Sequence, residues 1–467
     1  MTYRAPGWHQ FAFHVKFLFR RIALRAGVYA VIFLSGRSAS AVPSFARQTG
    51  YTCNRCHINP PELTDEGRKF KLNGYTLRAG QTGLPPISTP PDRQKSGLDL
   101  LAYLPLSAWI EISDTGLNKR EPGTQNWNFS LPQDVSLFLA GAFSTHSGGF
   151  IQATYDAQSD HFTWDNTDIR YARSRLLHGK PWVYGLTFNN NPTVEDIWHG
   201  TPTWGYPWVG PVGVPTPTAT SIVDGTLAHD VAGVGGYTMW NDHLYGAAAV
   251  YRSAHIGQPL PNAGTASQFN IQGVAPYWRI AWQQNSGNNY LEVGAYGMHV
   301  ASTPHAVEGL RDTYTDIAMD WQYERVLPQL ANDIVTFHGT YIHESSNLKA
   351  TFNSGSASFV PHHLNTFRAD VVYHAGFRLA PAIGYFVTSG TADPLLYAPD
   401  PLSGSQTGSP RSNGVTANLT YWPVMNIRLA AQYTRYQTFN GSVTNYDGSG
   451  RNAGDNNSTY FLVGIVF

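Results

Sequence analysis

Charge is what this chain most lacks. Of its 467 residues only 13% are Asp, Glu, Lys or Arg, against about 25% in an ordinary soluble domain. Cysteine is nearly missing, with two in the chain, which excludes a disulfide scaffold. The formal net charge is zero, which argues against a protein that binds nucleic acid through a basic surface. Long hydrophobic runs are missing too: nothing after the N-terminal region approaches the roughly 18 consecutive apolar residues of a spanning helix. Glycine (45) and proline (30) are too few for a collagen-like or disordered chain. Aromatic residues are plentiful instead, with 13 Trp, 26 Tyr and 23 Phe. Many aromatics, little charge and no spanning helix leave open a barrel that crosses a membrane with strands.

Residues 1–41 read as a secretory signal. Arg4, Lys16, Arg20, Arg21 and Arg25 form a positive leader without an acidic residue. An apolar core from Ala26 to Leu34 follows, then an A-x-A cleavage site at Ala39-Ser40-Ala41. A spanning anchor would need about 20 apolar residues, and Arg25 and Arg37 bracket this core too closely. Loss of the segment's basic residues leaves a net charge of about −6 on the rest, which favours cations at the surface.

Both cysteines lie just beyond, in Cys53-Asn54-Arg55-Cys56-His57. This is C-x-x-C-H, the attachment site of a c-type haem. Two thiols at this spacing form thioethers to the haem vinyl groups, and the adjacent histidine ligates the iron. A zinc site would want a second ligand pair at short spacing, and a thioredoxin-like pair a βαβ context; neither is present. Thr64 can cap a short helix that has Asp65 and Glu66 in its first turn, Lys69 and Lys71 near its end and Gly74 past it. Gly80 to Pro91 reads as a Pro-rich linker, so the haem segment with its linker spans 42–95. That is marginal for an independent core, and the segment is expected to lean on something else. Between Val42 and Gly97 the only histidine is His57 and there is no methionine. The sixth iron position is thus filled from elsewhere, for example by Met239, Met298 or Met319, or by a weaker ligand, or it is open.

From Leu98 on, about sixteen short segments alternate apolar and aromatic residues. They include Leu98 to Ile112, Val135 to Phe143, Ile151 to Tyr155, Val231 to Trp240, Leu244 to Tyr251, Leu291 to Val300, Phe367 to Tyr373 and Ile427 to Tyr436. Short connections (146–149, 178–180, 241–243, 285–289, 423–426) alternate with long ones (113–133, 189–228, 253–272, 343–365, 390–412, 438–457). Short turns on one side and long loops on the other are the pattern of an outer-membrane barrel. A soluble sandwich or propeller would not need it, and no blade repeat is visible. Phe461, Val463, Ile465 and Phe467 alternate up to a terminal Phe, which resembles the signal read by outer-membrane assembly machinery. The expected fold is all-β: a barrel of about 16 strands over 96–467, with a small α-helical haem segment plugging the lumen from the periplasmic side.

The haem block resembles the fused monohaem cytochrome c–porins, the outer-membrane Fe(II) oxidases of iron-oxidising bacteria. The matching residues are Pro43 to Gly50, Cys53 to His57, Pro61-Glu62-Leu63-Thr64, Gly67-Arg68, Phe70-Lys71-Leu72 and Gly74-Tyr75. A second likeness lies in the longest loop: Asn189 to Val194, Trp198, Thr201-Pro202 and Trp204-Gly205. The resemblance implies one covalent haem c on Cys53 and Cys56, with His57 as axial ligand. It also implies one-electron oxidation of extracellular Fe(II), with the electron handed to a periplasmic c-type cytochrome, and no nucleic-acid partner.

Glu195, Asp196 and His199 in the longest loop offer hard oxygens and an imidazole that suit iron. If the loop folds into the barrel mouth they could hold Fe(II) near the haem; the plainer expectation is solvated loop polarity. His362-His363 reads as polar filler, and the strand aromatics as a lipid-facing girdle. Two other functions compete with the iron oxidase or a conduit for another donor: a diffusion porin with a structural haem plug, and a haem-based sensor of small ligands.

Overall fold

The computed structural model describes residues 43–79, 103–157, 160–254, 270–304 and 309–467. The expected signal segment and the linker from Gly80 to Pro91 lie outside the described residues.

Two sheets form. The smaller is a ribbon of β1 (His57–Asn59) and β2 (Glu62–Leu63). The larger begins with β3 (Leu106–Leu117), β4 (Asn128–Ala142), β5 (Ser147–Asp156), β6 (His161–Leu177), β7 (Lys180–Asn189), β8 (Val231–Trp240) and β9 (Leu244–Ser253). After a two-residue β10 (Asn270–Ile271) come β11 (Ala275–Ser286), β12 (Asn289–Thr303), β13 (Asp312–Leu327), β14 (Asp333–Asn347) and β15 (Pro361–His374). The set ends with β16 (Leu379–Gly390), β17 (Ser412–Val424), β18 (Ile427–Thr438) and β19 (Ser458–Val466). Each long strand pairs antiparallel with its sequence neighbour, and β19 pairs back onto β3. Because β9 pairs directly with β11, the sheet closes into a barrel of 16 strands, with β10 riding on β12. Closure leaves no unpaired edge, which lipid would not tolerate.

The side-chain period of two decides which face is which. In β11, Tyr277, Arg279, Ala281 and Gln283 point inward and are buried, while Trp278, Ile280 and Trp282 point outward and are exposed. The same inversion runs round the barrel: Leu137, Leu139, Phe188, Val250, Val293, Ile317, Phe337, Ile383, Leu419 and Phe461 all face out. A closed barrel that is apolar outside and polar inside spans an outer membrane. The girdle expectation holds for the outward aromatics. It fails for Tyr237, Tyr245, Tyr251, Tyr277 and Tyr296, which are buried inside the barrel, where a hydroxyl can meet polar neighbours.

Seven connections at one end are tight: 143–146, 178–179, 241–243, 287–288, 328–332, 375–378 and 425–426. The turn after β8 shows the geometry they need. Asn241 and Asp242 both adopt positive φ (54° and 55°), as a twisted hairpin turn requires. Loops at the other end include 118–127, 190–230, 348–360, 391–411 and 439–457. Tight turns are the periplasmic end of such barrels and long loops the outer end. Several strands run further than their apolar stretches suggest. Ile151 to Tyr155, for example, is only the second half of β5, because the ladder already begins at Ser147.

The N-terminal segment expected to carry haem sits inside the tight-turn end. It comprises α1 (Pro43–Thr49), α2 (Cys53–Cys56), the β1–β2 ribbon and α3 (Asp65–Leu72). Its bonds reach the wall in many directions. Ser44 N donates to Ser107 Oγ on β3 (3.0 Å), and Ala142 N of β4 donates to Gln48 Oε1 (2.8 Å). Tyr75 Oη donates to Asp168 on β6 (2.7 Å), and Tyr237 Oη of β8 to Leu72 O (2.9 Å). Thr336 Oγ1 of β14 donates to Glu62 (3.0 Å), and Trp422 Nε1 of β17 to Asn59 Oδ1 (2.9 Å). The marginal segment borrows its core from the barrel lumen.

Its firmest ionic anchor is the buried pair of Arg68 with Glu324 on β13, with the guanidinium 3.9 Å from the centroid of the Tyr290 ring. Removing one member of such a pair leaves the other charge uncompensated, at a cost of roughly 3–5 kcal/mol. Glu324→Ala is therefore expected to lower the melting temperature of the folded barrel, measured in detergent. Asp65→Asn, which breaks the exposed Lys69–Asp65 pair, should change stability by no more than about 1 kcal/mol.

Candidate functional site

The C-x-x-C-H motif is built as one helical turn followed by an extended residue. α2 holds Cys53 and Cys56, and His57 opens β1. Thr64 ties this turn to the next helix: its Oγ1 accepts from Gly67 N (3.2 Å) as an N-cap and donates to Arg55 O (2.7 Å). Gly67 lets α3 lie directly on the turn, since a Cβ there would fall 2.1 Å from Cys56 O. Gly74 ends the helix with a φ of 68°, as its place in the sequence suggests. Phe45, Phe70 and Tyr75 pack ring on ring beneath, with centroids 5.0–5.7 Å apart.

This turn faces a cavity of about 490 Å³ between the plug and the barrel wall. Cys53, Cys56 and His57 line it together, with Phe45, Phe70, Trp109, Phe138, Phe150 and Trp204 among the aromatics around them. Its size falls within the usual range of about 300–1,000 Å³ for cofactor sites. Neither cysteine is in a disulfide. Burial, reinforced by Glu66, pushes the Cys56 thiol up to about 12, so it is not poised as a redox-active thiolate. Burial holds the His57 imidazole down at about 4, so it is neutral in ordinary conditions. Its Nδ1 lies 3.3 Å from Glu62 O. A proton there leaves the Nε2 lone pair for a metal, the usual arrangement of a ligating histidine. These residues fit a c-type haem: two thiols on one turn, a neutral oriented imidazole and an aromatic cavity against both.

The longest loop forms another part of the cavity wall. Instead of lying at the mouth, residues 190–208 run down into the lumen, and His199, Thr203, Trp204, Gly205, Pro207 and Trp208 line the cavity. Lys71 of α3 joins plug and loop. Its Nζ donates to Val194 O (2.7 Å) and to His199 Nε2 (3.0 Å), and His199 Nδ1 donates to Pro61 O (2.7 Å). The His199 ring stacks on Trp204 at 4.1 Å. Burial, helped by Arg170, lowers the Lys71 ammonium to about 7. Burial, helped by Lys71, holds His199 well below its ordinary value.

The expected iron-holding trio, Glu195, Asp196 and His199, is not brought together. Both His199 nitrogens are engaged by the plug. Asp196 is fully buried and accepts from Trp198 N (3.0 Å), Gly200 N (2.9 Å), Thr201 N (3.0 Å) and Thr201 Oγ1 (3.0 Å). Burial alone would raise its carboxyl, but Arg279, 3.5 Å away, and the loop N–H groups outweigh it and keep it ionised. Glu195 is also buried, and burial raises its carboxyl beside Tyr277. Among the described residues no group of three His, Cys, Asp or Glu is placed to hold a metal ion. Asp196 and His199 spend their polarity on holding the loop to itself, the wall and the plug, while the Glu195 carboxylate is buried beside Tyr277.

Other expectations can be placed as well. No described methionine lines the cavity: Met239 and Met298 are buried in β8 and β12, and Met319 is exposed on β13. His362 is bound to Asp393 (3.0 Å) and His363 to Thr391 (2.8 Å), on alternate faces of β15. Sequence reading missed the cavity residues of the wall, Trp109, Glu111, Asp134 and Arg428. The signal for three of them was a charged residue at an inward position of an apolar strand.

No protein-family model and no curated protein matches the sequence. Solved structures similar to this chain include OmpF of Salmonella typhi, at 12% identity and a TM-score of 0.47, with 78% of this chain and 97% of that one covered. An anion-selective porin from Comamonas acidovorans follows at 11% and 0.45, covering 77% and 98%. The outer membrane channel DcaP of Acinetobacter baumannii stands at 9% and 0.43, covering 78% and 96%.

Asp196 should govern whether the loop stays inside. Asp196→Ala strips Trp198 N, Gly200 N, Thr201 N and Thr201 Oγ1 of their shared acceptor, and each buried donor left unsatisfied costs about 1–3 kcal/mol. Chymotrypsin is expected to cut the variant at Trp198, Trp204 or Trp208 while leaving the wild-type loop intact, as read by mass spectrometry.

Proposed function

We propose that this chain is an outer-membrane cytochrome–porin that oxidises extracellular Fe(II) and delivers the electrons to a periplasmic c-type cytochrome. The observation that carries the reading is the C-x-x-C-H turn facing an aromatic cavity inside a membrane barrel. The likeness of the haem block to the fused cytochrome–porins supplies the donor. Held by Cys53 and Cys56, with His57 Nε2 on its iron, a c-type haem would supply a centre that gains and loses one electron.

The chain's own residues do the rest. Glu62 O orients His57, and Gly67 and Thr64 fix the turn that carries the thiols. Phe45, Phe70, Phe138, Phe150 and Trp204 give the cavity an aromatic lining, and burial of this kind is one of the levers that set a haem's potential. The barrel insulates the site from lipid, while the plug sets it near the tight-turn end. Delivery to a periplasmic partner is then a short reach, and the in-folded loop is the approach from outside.

A diffusion porin needs a water-filled lumen. Here Arg68–Glu324, Asp196–Arg279 and the Lys71 bonds tie two segments across it, which favours a conduit for electrons over one for solutes. Planar-bilayer recordings should give far smaller conductance than an open porin. A large, steady conductance in the haem-loaded protein would restore the diffusion reading.

The deciding experiment adds Fe(II) without oxygen to purified, oxidised, haem-loaded protein and follows the haem absorption bands. Rapid reduction is expected, with no haem spectrum at all from Cys53→Ser/Cys56→Ser. Ready reduction by dithionite but none by Fe(II) would end the iron assignment and turn the search to another donor or to outward electron flow.

A further inference from the structure

Five arginines among the described residues are buried: Arg68, Arg170, Arg279, Arg428 and Arg451. Four have strong partners. Arg68 meets Glu324, and Arg170 donates to Asp168 at 2.8 Å. Arg279 donates to Asp320 at 2.7 Å and to Glu292 at 3.2 Å, and Arg451 to Lys119 O at 2.8 Å. Arg428, on β18, is the exception. It is 3% exposed, and its Nε and Nη2 are buried without a hydrogen-bond partner. Its guanidinium carbon lies 5.9 Å from the Trp422 ring centroid. Glu111 shares the cavity with it and acts on it through space, but no ion pair joins the two.

An arginine cannot shed its proton to escape burial. A buried guanidinium with idle donors is costly, and its persistence calls for an anion. Arg428 lines the same cavity as Cys53, Cys56 and His57. Lys71, another cation there, is already committed to Val194 O and His199. The remaining charged groups of that wall, Glu111, Asp134 and Asp165, are carboxyls and would repel another carboxylate when ionised.

We propose that Arg428 is the barrel-wall anchor for a propionate carboxylate of the haem carried by Cys53 and Cys56. This rests on the haem reading above. A c-type haem bears two propionates and no other anionic groups, and a guanidinium fork matches a carboxylate in shape and charge. The haem site is then composite: the plug supplies the thiols and the axial histidine, and the second-last strand of the barrel supplies the counter-charge. A cation on the wall of the haem's cavity would also favour the electron-rich reduced state.

The test uses full-length, haem-loaded protein in detergent, with Arg428→Gln and Arg428→Lys beside wild type. Equilibrium redox titration should show a lower midpoint potential for Arg428→Gln, with Arg428→Lys restored toward wild type. A separate cycle compares Arg428→Leu in the loaded protein and in a Cys53→Ala/Cys56→Ala background. The substitution should lower the melting temperature of the loaded barrel, and leave unchanged or raise that of the haem-free one, where the charge has no partner. An unchanged potential in Arg428→Gln, or equal loss of stability in both backgrounds, overturns the anchor and leaves a packing role. Wild-type protein without covalent haem, by haem staining and mass, overturns the haem reading itself, before any Arg428 variant is measured.

Discussion

Strands that cross lipid have no choice about which side chains face out, and that constraint organises everything inside this barrel. Apolar residues go to the membrane, so the lumen inherits the charged and hydroxylated ones. Each inherited charge must find a partner in a space with little water. The partners come from the segments that fill the lumen. Arg279 of the wall takes Asp196 of the in-folded loop, Arg368 takes Asp224 of the same connection, and Glu324 takes Arg68 of the plug. Pairing that satisfies the wall also fixes the contents in place.

The two fillers meet at Lys71. Its side chain belongs to the plug helix, while its acceptors, Val194 O and His199 Nε2, belong to the loop. His199 then returns to the plug through Pro61 O, two residues past the ribbon's first strand. The chain thus builds a continuous bonded path from the outer loop to the backbone that borders His57. The cavity lies against this path, bounded by wall, plug and loop, so no one of the three defines it alone.

Much of this was legible in the sequence, for identifiable reasons. The C-x-x-C-H spacing is local, so Cys53, Cys56 and His57 stand out in the sequence, and the structure sets all three on one cavity wall. Period-two alternation and turn pairs such as Asn241-Asp242 mark strands and tight turns, and Thr64 marks a helix start. The barrel followed from these local signals together with the loop lengths. The direction in which the longest loop folds was not visible. It depends on pairs such as Asp196 with Arg279, just as the seat of the plug depends on Arg68 with Glu324, whose members lie 256 residues apart. For the same reason Glu195, Asp196 and His199 looked like a cluster when Asp196 faces Arg279, His199 bonds the plug and Glu195 is buried beside Tyr277. Arg428 was hidden as a lone charge in an alternating strand, where position alone does not say whether it has a partner.

The plug precedes the barrel in the chain yet is bonded to strands from its beginning, middle and end. Ser44 is held by β3, Tyr75 by β6, Arg68 by β13 and Asn59 by β17. Its seat is therefore absent until the last hairpin has joined the first strand. Biogenesis must keep an exported, marginally stable segment in waiting while 16 strands close around it. The segment that precedes the strands in the chain is then the last to lock.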